Sequence, residues 1–330
     1  MKGTRVRIRS MLMLSGLLLG LLCAAGCEKK ASSGAKIKIA SVIFQDDEFF
    51  RVLQLGMNDA AGKAGVDLRS GNSKGNLDKE LQLINTYINA KVDAMVVSAL
   101  SKEASVNPLK RAHDAGIKIV IVNMPLAADF PVSTIESDHR DLGVCTGREA
   151  ARFIKEKLDG KAKVAILAFD SQLAEQSKMR TEGFKSQLQD LPGVEFVAQQ
   201  DAWLVDMGIR KVDAILTAHP EVNVIWSANE GGTVGAVRAV EAKRMAGKVF
   251  VFGTDASEQL ANALLSPDNI LQAVTGQRPF DIGTEGIHAA IKAVRGETVE
   301  KKKIVDSMTL TRGKPAEVEA FKKRQMELTR

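Results

Sequence analysis

From Lys36 onward the chain alternates short, β-rich apolar runs with longer segments of helical periodicity, and this pattern occurs twice. Runs such as 94–97 and 117–122 are apolar throughout, which is typical of parallel strands covered by helices on both faces. The sequence therefore predicts an α/β fold with two doubly wound parallel-sheet lobes. The predicted strands cover 37–43, 66–70, 92–98, 117–122, 163–169, 194–199, 222–227, 249–253 and 270–275, and the predicted helices cover 49–64, 76–90, 104–115, 177–190, 207–218, 231–244, 256–265 and 280–295.

The length and the net charge of the chain limit the classes of protein to which it can belong. A chain of 330 residues is about twice the size of a usual domain, which fits two lobes. The formal net charge of +6 comes largely from Lys2, Arg5, Arg7 and Arg9, and without them 42 basic residues face 40 acidic ones. Because nucleic-acid binding needs a basic face on the folded body, this balance gives no reason to expect nucleic acid as a partner.

The first 26 residues have the three-part pattern of a secretory leader. The apolar run over 11–22 is shorter than the ~20 residues that span a bilayer. The run is followed by small residues and Cys27, a pattern that resembles a bacterial lipoprotein signal peptide and implies that Cys27 is lipidated. An ordinary signal peptide with an incidental cysteine is the alternative. The polar residues over 27–35 predict a flexible tether, so we expect the protein in the cell envelope, held to a membrane by its lipid.

Motifs for catalysis and for metal or cofactor binding are missing from the sequence. It has no phosphate loop, dinucleotide fingerprint, nucleophile elbow or zinc-protease motif, and its four histidines are scattered. Three acids over 46–48 could either cap the helix that starts at Phe49 or, through Asp47, accept a hydrogen bond from a ligand. We therefore expect no catalytic residue, no metal site and no cofactor.

Polar residues follow most of the predicted strands. In doubly wound sheets a ligand binds beyond the carboxyl ends of the strands, so these residues are the candidates for a site. At these positions the sequence resembles the periplasmic sugar-binding proteins of the ribose and galactose type, which share a core with the LacI-type repressors. The resemblance covers nearly the whole mature chain, and the segments that carry it are 47–50, 136–138, 180–184, 217–222, 229–230 leading into 235–236, 253–255, and Gln277 before Pro279.

The resemblance implies a type I periplasmic binding protein with a hinge of several crossing segments, near Ser137, Gln277 and Asp306. One lobe would comprise 36–137 plus 278–306, and the other 138–277 plus 307–330. Such a protein is a monomer that captures a small sugar or polyol between its lobes and delivers it to an ABC permease. A receptor that presents its closed form to a membrane sensor is the alternative. A repressor would need a DNA-binding domain ahead of Lys36, where the leader lies instead.

Nine positions of this chain correspond to positions that contact the ligand in the family, and at some of them the residue type differs. The resemblance implies that Asn229, Asp255 and Gln277 hydrogen-bond ligand hydroxyls. It also implies that Phe49, Phe50 and Trp203 pack against the apolar faces of a sugar ring. The remaining candidates are Asp47, Asn123 and Lys178.

Two departures from the ribose-type pattern concern cations. Asn123-Met124 stands where ribose-binding proteins have an Asp-Arg pair, and Lys178 replaces a second ligand-facing arginine. The site would therefore have fewer guanidinium groups than a ribose site, and it would have acids at Asp47 and Asp255. The ligand class stays open between another sugar, a cyclitol and a cationic ligand held between aromatic rings.

Overall fold

The computed structural model describes residues 36–329. In this range the chain forms two lobes, and each lobe contains one six-stranded sheet. The expectations for 1–26, Cys27 and 27–35 concern residues outside this range. Within residues 36–329, no helix is long and apolar enough to cross a membrane.

The first lobe contains a fully parallel sheet of strand order β11-β5-β4-β3-β1-β2. Alternate residues of its inner strands enter two apolar clusters. Ile39 faces helices α1 and α9, whereas Ala40 faces α2 and α3. The sheet is therefore covered on both sides. Its elements are β1 (Lys38–Ile43), α1 (Glu48–Ala64), β2 (Asp67–Asn72), α2 (Leu77–Asn89), β3 (Ala94–Val97), α3 (Val106–Asp114), β4 (Lys118–Val122), β5 (Ser133–Ser137), α9 (Pro279–Val294) and β11 (Lys302–Val305).

The second lobe repeats this arrangement, with strand order β12-β10-β9-β8-β6-β7. Its strands are parallel except β12, which pairs with β10 in the antiparallel direction. Leu167 and Ile166 enter apolar clusters on opposite faces of the sheet. The elements are α4 (His139–Lys157), β6 (Lys161–Ala168), α5 (Asp170–Ser186), β7 (Gly193–Asp201), α6 (Val205–Ala218), β8 (Val224–Ser227), α7 (Glu230–Ala242), β9 (Phe250–Thr254), α8 (Glu258–Leu265), β10 (Leu271–Gly276), β12 (Met308–Thr311) and α10 (Pro315–Thr329).

The chain crosses between the two sheets three times. It passes from β5 to α4 at Asp138, from β10 to α9 at Gln277, and from β11 to β12 at Asp306. The predicted fold class, two doubly wound parallel-sheet lobes, is confirmed. The sequence did not delimit helix α4, it did not predict β5, β11 or β12, and it placed the start of α5 at 177 instead of Asp170.

Helices α4 and α5 approach each other through glycines. A Cβ added at Gly143 would lie 1.9 Å from the carbonyl oxygen of Arg180, and one added at Gly183 would lie 2.1 Å from that of Arg140. No larger side chain fits at either position without moving a backbone. The contact therefore fixes where α5 lies along α4 and how α5 is rotated about its own axis. The position of Arg180 follows from both. The same kind of contact joins α1 and α9, at Gly56 and Gly283.

Candidate functional site

The two lobes meet at the carboxyl ends of their strands, where helices α1 and α8 begin. The carboxylate of Glu48, the first residue of α1, accepts a hydrogen bond from the backbone N–H of Glu258, the first residue of α8. A second contact between the lobes is the ion pair of Lys102 and Glu175, at 3.4 Å. The cleft between these contacts is where a ligand of a doubly wound fold binds.

Asp255 lies at the centre of a hydrogen-bonded group in the second lobe. Its carboxylate is 3.3 Å from Nη1 of Arg180 and accepts the backbone N–H of Glu230 at 3.1 Å. Nε2 of Gln277 donates to the same carboxylate at 3.4 Å. Arg180 also donates to the carbonyl of Ala228 at 2.8 Å. The predicted candidates Asp255 and Gln277 are thus brought together, next to the second crossover.

Asn123 and Asp255 occupy equivalent places in the two lobes. Each follows the fourth strand of its lobe and has a positive φ, 71° for Asn123 and 72° for Asp255. Each also donates its backbone N–H to the neighbouring strand segment, Asn123 to Ile135 at 2.9 Å and Asp255 to Thr275 at 2.8 Å. Asn and Asp are the non-glycine residues that adopt this left-handed conformation most readily. Because the backbone is left-handed at both residues, the two side chains leave their strand ends in the same orientation.

Lys178 and Arg180 lie on opposite sides of α5. The side chain of Lys178 is 73% exposed and lies 3.8 Å from Glu182, whereas that of Arg180 is 4% exposed and contacts Asp255. Residues two apart in a helix point in nearly opposite directions, so only one of the two can face the interior. The cation of the Asp255 group is therefore Arg180, which sequence reasoning did not select. Gly183, on the same helix face three residues later, was the signal that could have identified it.

The amide of Asn229 is engaged by its own lobe. Its Oδ1 accepts the N–H of Gly232 at 3.2 Å, and its Nδ2 donates to the carbonyl of Trp203 at 2.8 Å. Asn229 is thus the N-cap of α7 and ties the loop of Trp203 to the start of that helix. In this structure Asn229 positions the site, and the predicted contact to a ligand stays a prediction.

The three predicted aromatic residues differ in exposure. Phe50 is 4% exposed and belongs to the apolar core of the first lobe, with its ring 4.5 Å from that of Phe44 and 5.2 Å from that of Phe49. Here it supports Phe49 and presents no face to the cleft. Phe49 and Trp203 are half-buried and keep part of their surface accessible.

The acids of the cleft lose part of their hydration and repel one another. Asp47 caps α1 by accepting the N–H of Phe50 at 3.1 Å, yet burial raises its pKa, and the charge of Asp255 across the cleft raises it further. Burial raises the pKa of Glu230 to about 7, and the charges of Asp255, Glu48 and Asp47 add to this effect. Carboxylates from both lobes therefore face one another.

Several buried polar atoms at the strand ends have no hydrogen-bond partner among the described residues. Such atoms are costly to bury unless a ligand or water satisfies them. Their position at the carboxyl ends of strands of both lobes coincides with the cleft. They are Oγ of Ser73, Ser98 and Ser137, Nε2 of His139, Oγ1 of Thr254 and Oε1 of Gln277.

His139 lies at the first crossover between the lobes. The residue is 6% exposed, and its Nδ1 accepts a hydrogen bond from Nε of Arg180 at 3.4 Å. Burial lowers its pKa to about 3, with further lowering by the charges of Arg180 and Lys302. The histidine is therefore neutral at ordinary pH and connects the crossover to the Asp255 group. Within residues 36–329, no cluster of His, Cys, Asp or Glu has the arrangement of a metal site.

The fold and this cleft together define a two-lobed binding protein with its site between the lobes. Residues 39–298 match the family described as a periplasmic binding protein domain, and the chain belongs to that family, as its sequence predicted. The members of this family are substrate-binding transport proteins rather than enzymes. They act outside the cytoplasm.

Individual relatives agree with this assignment. The chain is 28% identical over 305 residues to the ABC transporter periplasmic-binding protein YphF of Escherichia coli, covering 90% of each chain. It is 29% identical over 279 residues to the ribose import binding protein RbsB of Salmonella typhimurium, covering 84% of this chain and 91% of that one. A solute-binding protein of Actinobacillus succinogenes with bound D-allose has the same fold, with a TM-score of 0.77 and 24% identity over 86% of this chain and all of the other.

Proposed function

We propose that this protein is the substrate-binding component of an ABC importer and captures a sugar or sugar-like polyol in the cleft between its lobes. The observation that carries the proposal is the Asp255 group, in which a buried Arg180 and Gln277 orient a carboxylate at the strand ends. Carboxylate and amide groups in fixed positions suit a ligand whose hydroxyls both donate and accept hydrogen bonds. The ribose import and D-allose relatives support the ligand class.

Closure of the lobes is the event that the ligand would control. The three crossovers at Asp138, Gln277 and Asp306 are the segments about which the lobes can rotate. A ligand that contacts Asp255 in one lobe and Phe49 in the other binds the closed form more tightly than the open form. This difference in affinity shifts the population toward the closed form, which the permease recognises.

The proposal includes a lipid anchor at Cys27. The leader over 1–26 and the polar segment over 27–35 support this part of the proposal. We expect Cys27→Ser to release the protein from the membrane fraction while its ligand affinity stays unchanged. Continued attachment of the variant to membranes would contradict lipidation at this residue.

The binding function can be tested by thermal denaturation of residues 28–330 against pentoses, hexoses, cyclitols and their amino derivatives. A ligand at ~100 times its dissociation constant adds about 2.7 kcal/mol of stability. We expect at least one compound to stabilise the protein in this way, and Asp255→Asn to abolish most of that gain. Asp268→Asn is the matched control, because Asp268 pairs with Arg312 at 3.4 Å in the same lobe. No stabilisation by any compound, or equal loss in both variants, would contradict the proposal.

A further inference from the structure

Among residues 36–329, the acids that act on one another in the cleft outnumber the cations that act on them. Five acids from both lobes act on one another at the helix starts and strand ends where the lobes meet. The cations that act on them are Arg51, which is exposed and donates to the carbonyl of Asp46 at 2.8 Å, and Arg180, which is held by Asp255. The five acids are Asp47, Glu48, Glu230, Asp255 and Glu258.

Three of these acids have a backbone N–H or a guanidinium as donor within the described structure. Asp47 accepts the N–H of Phe50, Glu48 accepts that of Glu258, and Asp255 is bound by Arg180. These contacts hold the three carboxylates in place, and Glu258 lies at the exposed start of α8. Glu230 differs, because the charges that act most on it are all negative.

Glu230 is the first residue of α7 and is half-buried. Its carboxylate takes a hydrogen bond from the hydroxyl of Ser257, whose oxygen in turn accepts the N–H of Leu260 at 3.4 Å. That arrangement directs the hydroxyl proton toward Glu230 and uses one of its acceptor sites. The charges that act most on the Glu230 carboxylate belong to Asp255 in its own lobe and to Glu48 and Asp47 in the other, and all three raise its pKa.

Gln277 independently indicates a missing donor in the same group. Its Nε2 donates to Asp255, while its Oε1 is buried and has no hydrogen-bond partner among the described residues. A hydroxyl ligand could satisfy this oxygen but would leave the negative charge of the cleft unchanged. An ammonium group carries three donors, no acceptor and one positive charge, so a polyol that carries an amine supplies both the cation for the acids and, through a hydroxyl, the donor for Gln277.

We propose that the cleft selects polyols that carry a protonated amine, such as amino sugars and aminocyclitols, and that Glu230 receives the ammonium group. This inference rests on the proposed function and specifies its substrate class. Arg180 stays with Asp255 and orients it toward the hydroxyls of the ligand, while the amine lies toward Glu230 and the acids at the start of α1.

Proton release on binding follows from this arrangement. Without a ligand the Glu230 carboxyl has a pKa of about 7, because burial and the neighbouring acids favour its protonated form, so it is partly protonated near neutral pH. An ammonium group beside the carboxylate lowers this pKa, whereas a neutral polyol does not. Binding of an amine near neutral pH therefore releases protons from Glu230, apart from any proton that the amine itself takes up.

Matched pairs of ligands test the inference in residues 28–330, which contain the whole compact unit Lys36–Arg330. Calorimetric titrations compare glucosamine with glucose and amino-deoxy-inositol with myo-inositol at pH 7, in two buffers of different ionisation enthalpy. We expect the amine of the preferred pair to bind about tenfold more tightly or better and to release protons. Glu230→Gln should remove both the preference and the proton release. Glu241→Gln, an exposed change on the same helix, should leave both intact.

Each outcome has a distinct meaning. If neutral polyols bind as tightly as their amines, the inference is wrong and the binding function stands. If the amine preference survives Glu230→Gln, the role assigned to Glu230 is wrong. If no member of any pair binds, the proposed function fails together with the inference.

Discussion

Arg180 and Asp255 form an ion pair at 3.3 Å across the second lobe, linking helix α5 to the residue that follows β9. The arginine is 4% exposed and also contacts the carbonyl of Ala228 and the ring of His139. One buried guanidinium thus connects a strand end, a helix start and the crossover between the lobes. The pair is a structural requirement of the cleft before any ligand binds.

Removal of Arg180 should therefore destabilise the fold as well as the site. We expect Arg180→Met to lower the free energy of unfolding by about 3 kcal/mol, because Asp255 and the Ala228 carbonyl lose their partner. Lys178→Met, on the exposed side of the same helix, should change it by less than about 0.5 kcal/mol. Urea unfolding measures both. Equal effects of the two substitutions would contradict the positions assigned to the two side chains.

Asn229 offers a test that separates capping from ligand contact. Asn229→Ala removes the N-cap of α7 and should lower the free energy of unfolding by about 1 kcal/mol, whereas Asn229→Ser keeps a capping oxygen and most of the stability. Ligand affinity is then measured in the serine variant. If Asn229 serves only as a cap, affinity stays close to wild type; a loss of tenfold or more, about 1.4 kcal/mol, would indicate a direct contact.

The glycine contact between α4 and α5 links helix packing to the site. A methyl group at residue 143 would lie 1.9 Å from the carbonyl of Arg180, so Gly143→Ala must push α5 away. We expect a loss of about 2 kcal/mol in stability and weaker ligand binding, since Arg180 moves with its helix. Gly62→Ala in α1 is the control, because a Cβ there meets no atom within 4 Å and should stabilise the helix slightly. Unchanged ligand binding in a folded Gly143→Ala variant would contradict the link.

The buried His139 makes stability depend on pH. Its pKa is about 3 in the folded protein and about 6.5 in the unfolded chain, so between these values only the unfolded chain binds the proton. Its contribution to stability is complete above pH 6.5 and declines by about 1.4 kcal/mol per pH unit as the pH falls. Glu230 has the opposite effect between its unfolded pKa and pH 7, since its folded pKa is raised.

The histidine effect is therefore measured as a difference between proteins. Wild type should lose its stability relative to His139→Gln by about 1.4 kcal/mol per unit between pH 6 and pH 4. His219→Gln, at a side chain 38% exposed, provides the comparison. A constant difference between wild type and His139→Gln over this range would mean that the histidine is charged or accessible in the fold.

The sequence predicted most helices and the inner strands because their patterns are strong, whereas it did not delimit helix α4. The apolar runs at β3 and β4 and the amphipathic segment of α1 leave few alternatives. The edge strands β11 and β12, and β5 beside β11, are short and partly polar. Strand β11 also pairs with residues of β5 that lie about 170 positions earlier in the chain.

Site residues were harder to predict than elements. Asp255 and Gln277 were selected because they follow strands and match the family pattern, and the structure brings them together. Asp47 caps α1, one of the two roles that the sequence left open. The contacts of all three with a ligand stay predictions. The choice between Lys178 and Arg180 depends on the rotation of α5, which its glycine contact with α4 decides. Likewise, Phe50 lies in the core and Phe49 at its edge because of the rotation of α1, which residue type alone does not specify.

A crystal structure of the protein with its tightest-binding polyol tests the account most directly. We expect the ligand between the lobes, with hydroxyls bonded to Asp255 and Gln277, a ring face against Phe49 or Trp203, and any amine within hydrogen-bond distance of Glu230. A ligand bound outside the cleft, or in contact with one lobe alone, would contradict both the site and the closure that depends on it.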